Sequence, residues 1–436
     1  MKASYIKNSL LKTISLMEQN IDRFVQKPGV DFTRHRSCPF SSVLLCLLAM
    51  ENSSLNRELR RFFQPRKDGS FITKSAFVQQ RAKLNDQAFP FLFSSMNGIF
   101  PFKKTFKGYH LLACDGSDVN IPPLRSDPST RVVSNTEGSV YYQFHLNSVY
   151  DILEERFSDI LVQPRAGYDE RKAFVSFLQR NSIPGKCLFI ADRGFFSLNV
   201  IAHLAGSASS FLLRVQSDGF GNSFLRRFSL PQEEEFDIDL DFSVTRSKKK
   251  HYMEHPDQFI YVRRDRPFDL IHPDDRETLL PISLRLVKIV LPGGSDEFLI
   301  TDLPRRSFPR ETLKHLYHLR WSTETAYSHL KYSVALNSFH SVRRDFIMQE
   351  IYARVIFYNM AMLLIHSVTL SRRDRKYEFK ISVSDTVIIL RDFLIHRIKN
   401  ETIEIWLQKN VTDIRPNRTY PRKKHSKRFV PLNHRC

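Results

Sequence analysis

The chain has 436 residues, enough for two or three domains, and its 42% hydrophobic content is enough for packed cores. With 36 Phe and only 14 Gly it is neither a disordered chain nor a collagen-like repeat. Its 66 Lys and Arg against 46 Asp and Glu leave a formal charge of +20, which points to a polyanion, nucleic acid ahead of a membrane surface; a basic protein with no such partner is the bland alternative.

Cys38, Cys46, Cys114, Cys187 and Cys436 are odd in number and scattered, with no C-x-x-C pair, so zinc is not expected and a reducing compartment is. Met1-Lys2-Ala3-Ser4 opens no secretory apolar core. The longest apolar stretch, 355–370, contains Asn359 and His366 and reads as a buried helix rather than a membrane span. The expectation is a soluble cytoplasmic protein with no membrane partner.

Residues 1–105 read as helical, with apolar residues at helical spacing over 40–50 and 77–93. Between these runs lies a basic and aromatic segment, Asn56-Arg57-Glu58-Leu59-Arg60-Arg61-Phe62-Phe63. The next segment, 74–84, reads as a helix whose Gln79, Gln80, Arg81 and Lys83 are candidates for contacting DNA phosphates or base edges. A plain solvated helix face fits the same residues.

From Tyr109 the pattern turns to strands. Residues 109–115 form an apolar run closed by Asp115 and a Gly-Ser turn, and 141–150 and 157–162 are further strands. Residues 169–180 read as an amphipathic helix, 187–192 as an apolar strand closed by Asp192, 198–204 as a helix and 211–215 as a strand. This alternation predicts a mixed sheet with helices on its faces. Residues 219–304 read as an all-β insertion: 236–242 alternates strictly, and 284–291 and 297–302 flank the turn Pro292-Gly293-Gly294-Ser295. Helices resume at Pro309, placed as a first helical residue.

The expected division is therefore a helical region over 1–105, an α/β core in two parts over 106–218 and 305–370, the insertion over 219–304, and a helical region with a basic tail over 371–436. The tail carries Arg415, Arg418, Arg422, Lys423, Lys424, Lys427, Arg428 and Arg435, and reads either as a polyanion-binding arm or as a solvated end.

Asp115 and Asp192 each close an apolar strand, at the sheet edge where α/β proteins bind ligands. Paired carboxylates there suit Mg²⁺, although capping a turn is the commoner use of such a residue. Downstream, Tyr317, Arg320, Glu324 and Lys331 fall at offsets 0, 3, 7 and 14. On one regular helix these occupy an arc of roughly 60°, with Leu319, Ala326, Leu330 and Val334 opposite. A carboxylate flanked by a phenol and two cations suits a phosphodiester beside a metal; a solvated Arg320–Glu324 pair is the alternative. Asp118 reads as a turn residue, and Asp302 as a rival to Glu324 for the metal. His145 and His203 read as ordinary packed or polar histidines rather than ligands, and Glu233-Glu234-Glu235 as a solvated loop.

The spacing Y-(2)-R-(3)-E-(6)-K, with Asp115-Gly116-Ser117 and Asp192-Arg193-Gly194-Phe195 upstream, resembles the bacterial insertion-sequence transposases that cut and paste DNA. The resemblance covers about residues 71–370. It implies an RNase H-like mixed-sheet catalytic core interrupted by the β insertion, and an N-terminal region that binds element ends. It also implies a catalytic triad of Asp115, Asp192 and Glu324 holding two Mg²⁺ ions, or Mn²⁺ in their place, about 3.5–4 Å apart.

On the same resemblance Tyr317, Arg320 and Lys331 hold end phosphates, the partners are element-end and target double-stranded DNA, and a homodimer forms on synapsed ends. The reaction implied is strand cleavage followed by strand transfer. Some members stack a tryptophan of the insertion on a flipped base. Here Trp321 and Trp406 both lie outside it, leaving Tyr252, Tyr261 and Phe268 as aromatic substitutes. The rival readings are a structure-specific nuclease on the same fold and a catalytically silent DNA-binding relative.

Overall fold

The computed structural model describes residues 2–414 apart from 35–37, 134–137, 218, 220–222, 292, 371–377 and 396. The basic tail from Arg415 onward lies outside the described residues, as does Pro292 of the expected hairpin turn. Five helices open the chain: α1 (Ala3–Gln19), α2 (Phe40–Ala49), α3 (Leu55–Phe62), α4 (Lys74–Arg81) and α5 (Ala88–Ile99). In α1 the buried Ala3, Ile6, Leu10, Ile14 and Met17 recur every three or four residues, so one stripe faces the core. The apolar run over 77–93 is broken. The Thr73 side chain caps α4 at the Ala76 N–H, and α5 begins only at Ala88.

The strands β1 (Tyr109–Ile121), β2 (Arg131–Val133), β3 (Val140–Asp151) and β4 (Arg156–Pro164) follow, then helix α6 (Glu170–Arg180), β5 (Lys186–Ala191), helix α7 (Leu198–Ala205) and β6 (Ser210–Val215). β1 pairs antiparallel with β3, and β3 with β4. β5 runs parallel to β1, and β6 parallel to β5, each parallel step crossing over through a helix. Next come β7 (Phe236–Thr245), α8 (Lys250–Glu254), β8 (Phe259–Tyr261), β9 (Leu279–Val290) and β10 (Asp296–Thr301).

The sheet order is β2-β3-β1-β5-β6-β10-β9-β7-β8, with β4 also on β3. Residues 219–304 therefore do not form a separate all-β body. β10 pairs directly with β6, β9 and β7 continue the same sheet, and a short helix lies among them.

The sheet has two buried faces. Along β1, Leu111, Ala113 and Val119 enter one apolar cluster, while Leu112 and Cys114 enter the other, as strand alternation requires. The second face is covered by α6 and α7. The first is covered by α9 (Arg310–Leu319), α10 (Ser322–Ser328) and α11 (Arg344–Ser367), beyond which lie β11 (Phe379–Ile381), α12 (Val383–Leu394), α13 (Asn400–Lys409) and β12 (Val411–Asp413). α11 is buried along most of its length, against α2, α5, α12 and β4. Among the described residues no helix is long and apolar enough to cross a membrane.

The N-terminal helices share this first cluster, so residues 1–105 are not an independent unit. The tie is polar as well as apolar. Arg81 donates through Nε to Gln349 Oε1 and through Nη1 to Glu350 Oε1, both at 2.8 Å, while His340 also engages Glu350. Arg354 reaches the Met50 carbonyl and Arg391 pairs with Glu51 at 2.9 Å.

The assignment of Arg81 to a DNA-facing surface is corrected by this packing. It is 1% exposed, committed to a buried carboxylate that sequence proximity could not reveal. Gln80 is buried beside it. Gln79 is exposed and bonds Ser75, and half-buried Lys83 lies over the Phe32 ring.

Candidate active site

Asp115 does not end its strand. β5 stops pairing with β1 at Cys114, but β3 continues alongside β1 from Asp115 to Ile121, so Gly116 and Ser117 are extended strand and not a turn. The acid therefore sits where one neighbour strand departs and a crevice opens at the carboxyl end of the parallel strands. Asp192 follows the last residue of that departing strand, and its Oδ1 accepts the Arg193 N–H at 2.7 Å. The two carboxylates are thereby brought to one edge.

The downstream signature does not lie on one regular helix. Between α9 and α10 the chain tightens: Arg320 N–H bonds the Tyr317 carbonyl and Thr323 N–H the Arg320 carbonyl, both three residues back. After α10 it widens into a π turn over His329–Ser333, which contains Lys331. Such interruptions re-aim side chains. Tyr317 and Arg320 turn inward and are buried, while Glu324 stays exposed on α10.

Three contacts join this segment to the strands. Tyr317 OH donates to Asp192 Oδ1 at 3.1 Å, Arg320 Nη1 lies 3.9 Å from Asp115 Oδ2, and Lys331 Nζ donates to Ser117 Oγ at 2.6 Å. The wholly buried phenol of Tyr327, which the sequence reading passed over, sits within hydrogen-bond reach of the Asp115 and Leu146 carbonyls and of Ser148 Oγ. It pins α10 to β1 and β3.

The electrostatics follow from this enclosure. Burial pushes the Asp115 carboxyl up to about 6, opposed by Arg320 and the Gly116 N–H and reinforced by Glu324 and Glu170. Burial pulls Arg320 down, but Tyr317, Asp115 and Asp192 more than offset it and hold the guanidinium above its ordinary value. Lys331 is lowered by burial despite Asp118 and Asp115. Buried Glu297 on β10 is raised by burial, with Arg214 at 3.5 Å opposing and Asp192 reinforcing.

A second cluster lies behind β1. His145 Nδ1 meets Asp118 Oδ1 at 2.7 Å and His145 Nε2 meets Glu170 Oε1 at 3.1 Å. Burial lowers the His145 pKa, but the bonds to Asp118 and Glu170 outweigh it, so the ring titrates above its ordinary value. This explains Gly116: a Cβ there would overlap His145 Nε2 and stand 2.7 Å from Glu170 Oε1. His145 is thus both packed and polar, as expected, while Asp118 is a strand residue rather than a turn residue, and the two are linked beside the site. Only an acid at the start of α6 could have signalled Glu170, and many helices carry one.

The other candidates fall elsewhere. Asp302 accepts the Phe211 N–H at 2.8 Å and fastens β10 to β6. Glu235 accepts the Val290 N–H and pairs with Arg310 at 3.3 Å. His203 pairs with Asp269 at 2.9 Å.

Residues 107–360 match the family described as Transposase DDE domain. The chain belongs to the DDE-domain transposases. The match takes in both aspartates, the strands beyond β6 and the whole Tyr317-to-Lys331 segment. No curated protein matches the chain. Among solved structures, the cryo-EM piggyBac transposase synaptic complex with hairpin DNA is similar at a TM-score of 0.42 and 12% identity, over 95% of this chain and 84% of that one.

In this transposase the side chains of Asp115, Asp192 and Glu324 offer carboxylate oxygens, a donor set suited to a hard divalent cation. Arg320 stands 3.9 Å from Asp115, and Lys331 also feels that carboxylate. The carboxylate donors fit a cation by type, although among the described residues no three His, Cys, Asp or Glu side chains converge as a ready coordination group.

Proposed function

We propose that this transposase binds the terminal repeats of an insertion element, cleaves the strands there and joins the freed ends to target DNA. Asp115, Asp192 and Glu324 would hold Mg²⁺, or Mn²⁺ in its place, which when bound supplies Lewis acidity at the attacking and leaving oxygens. The observation that carries this reading is the bridging of both strand-edge aspartates by a single short segment, through Tyr317 to Asp192 and Arg320 to Asp115. The antiparallel β4-β3-β1 unit followed by parallel β5 and β6 supports an RNase H-like core.

In this reading Tyr317 fixes the orientation of the Asp192 carboxylate. Arg320 sets its positive charge beside Asp115, and Lys331 reaches the same edge from the π turn. Positioning of the phosphodiester is then the main contribution of these side chains. Gln79 and Lys83 remain surface candidates for end recognition, and the active form on two ends is a homodimer.

The test is a plasmid carrying the element's ends, incubated with purified protein and Mg²⁺ and followed for nicking, excision and joining. Asp115→Asn, Asp192→Asn and Glu324→Gln should each abolish cleavage while retaining end binding. Wild-type cleavage by any one of them removes that residue from the triad. Cleavage without joining would turn the reading to a nuclease.

A further inference from the structure

Beside the strand edge that carries Asp192, two open clefts run together between α6, α7 and the strands beyond β6. Their volumes are about 620 and 910 Å³, and Arg171, Leu198 and Arg227 line both. Each is the size that accepts a drug-sized group, on the order of one or two nucleotides. The first lobe begins at Arg193, the residue after Asp192, and the second includes Gly194 and Glu170. The cleft therefore leads directly away from the candidate catalytic edge.

Its charges are one-sided. Arg171, Lys172, Arg193, Arg227, Arg263 and Arg266 line it, against the acids Asp169, Glu170 and Asp269. Each acid is engaged by its own wall. Asp169 caps α6 through the Arg171 and Lys172 N–H groups, Glu170 is held by His145, and Asp269 is held by Asn199 and His203. Among the described residues, Arg263 alone of the six cations forms a salt bridge, with Asp265.

The far wall is built rather than loose. Arg246, 1% exposed, spreads its guanidinium over the carbonyls of Arg263, Arg266, Phe268 and Ile271. That loop is tied back to α7 through Asn199 and Asp269. Half-exposed Phe196, Phe224 and Tyr261 add ring surface between the cations.

Cations that, Arg263 apart, form no salt bridge among the described residues, interleaved with aromatic faces, suit a polyanion whose bases are unstacked. We infer that this cleft holds a single DNA strand leading away from the scissile phosphate, with Arg227 and Arg266 on its phosphates. The inference rests on the strand-cutting reading above.

It is tested with the full chain in metal-free buffer, by fluorescence anisotropy of labelled oligothymidylate across a salt series, beside a duplex of random sequence. Arg227→Ala/Arg266→Ala should weaken single-strand binding about tenfold and flatten the salt slope by about 1.4, two phosphates' worth, with duplex binding changed less than about twofold. Arg227→Lys/Arg266→Lys, which keeps the charges, should retain the wild-type slope.

An unchanged slope in the alanine pair, an equal loss on duplex, or a slope lost in the lysine pair overturns the inference. Because the slope is read without metal, an unchanged slope in the alanine pair sinks the cleft alone, whereas wild-type cleavage by Asp115→Asn sinks the triad alone.

Discussion

Tyr317 donates its phenolic hydrogen to Asp192 Oδ1 across 3.1 Å, and that bond ties α9 to the strand edge. Tyr317→Phe removes it without opening a cavity. The expected result is a roughly tenfold fall in single-turnover cleavage with a stability loss of about 0.5–1.5 kcal/mol, the ordinary net worth of one hydrogen bond. A wild-type cleavage rate in this variant would show that Asp192 needs no such orientation.

Lys331 meets Ser117 at 2.6 Å on the same edge. On the proposed phosphate role, Lys331→Ala should reduce cleavage and joining while leaving the Mg²⁺ concentration for half-maximal rate nearly unchanged. Ser117→Ala should have a smaller effect, and the double variant should be no worse than Lys331→Ala. If raised Mg²⁺ restored full activity to Lys331→Ala, the lysine would belong to the metal site's charge balance.

Gly116→Ala should be costly for a steric reason. The added methyl group would collide with His145 and Glu170. A loss of about 1–3 kcal/mol is expected from such overpacking, measured by urea unfolding. His145→Ala/Gly116→Ala should recover part of it. Additive losses in the double variant would mean that His145 is not what the methyl group meets.

Arg81→Met should destabilise the fold by about 3–5 kcal/mol, because buried Glu350 would lose its guanidinium partner and keep His340. DNA affinity of the folded fraction should be unaffected. A stable Arg81→Met protein with weakened DNA binding would return Arg81 to the surface and reverse the correction made above.

Asp151 gives a pH dependence. Burial raises its carboxyl to about 7 from 3.8, and Oδ2 has no hydrogen-bond partner. The folded state therefore holds this proton more tightly than the unfolded chain. The contribution is fully present below about pH 4 and is lost as pH rises through about 7, falling by about 1.4 kcal/mol per unit between them. Asp151→Asn should flatten that part of the stability profile. A profile identical to wild type between pH 4 and 7 would rule the group out.

The strands were legible because buried parallel strands are nearly continuous apolar runs, as in β5 and β6, and turns or caps bound them. The end of β5 just before Asp192 is legible for that reason. Asp115 reads as a strand end in the sequence because the continuation depends on β3, whose pairing a one-dimensional pattern does not contain. Spacing alone puts Tyr317, Arg320, Glu324 and Lys331 on one helical stripe, but the tight joint at Arg320 and the π turn depart from a uniform 3.6-residue period. Arg81 was read as surface because charged residues usually are. Its partner lies on α11, and only tertiary packing identifies it.

That pairing has a consequence for synthesis. Arg81 precedes Glu350 by 269 residues. At roughly 5–20 residues per second, the carboxylate leaves the ribosome about a quarter of a minute to a minute after the arginine. Until then the first five helices have no α11 to pack on, and their apolar faces stand open to chaperones or to other nascent chains. A message broken before the codons for α11 thus yields an N-terminal fragment lacking the helix its core is built around. Full-length translation is in effect a checkpoint on the assembly of the protein's first hundred residues.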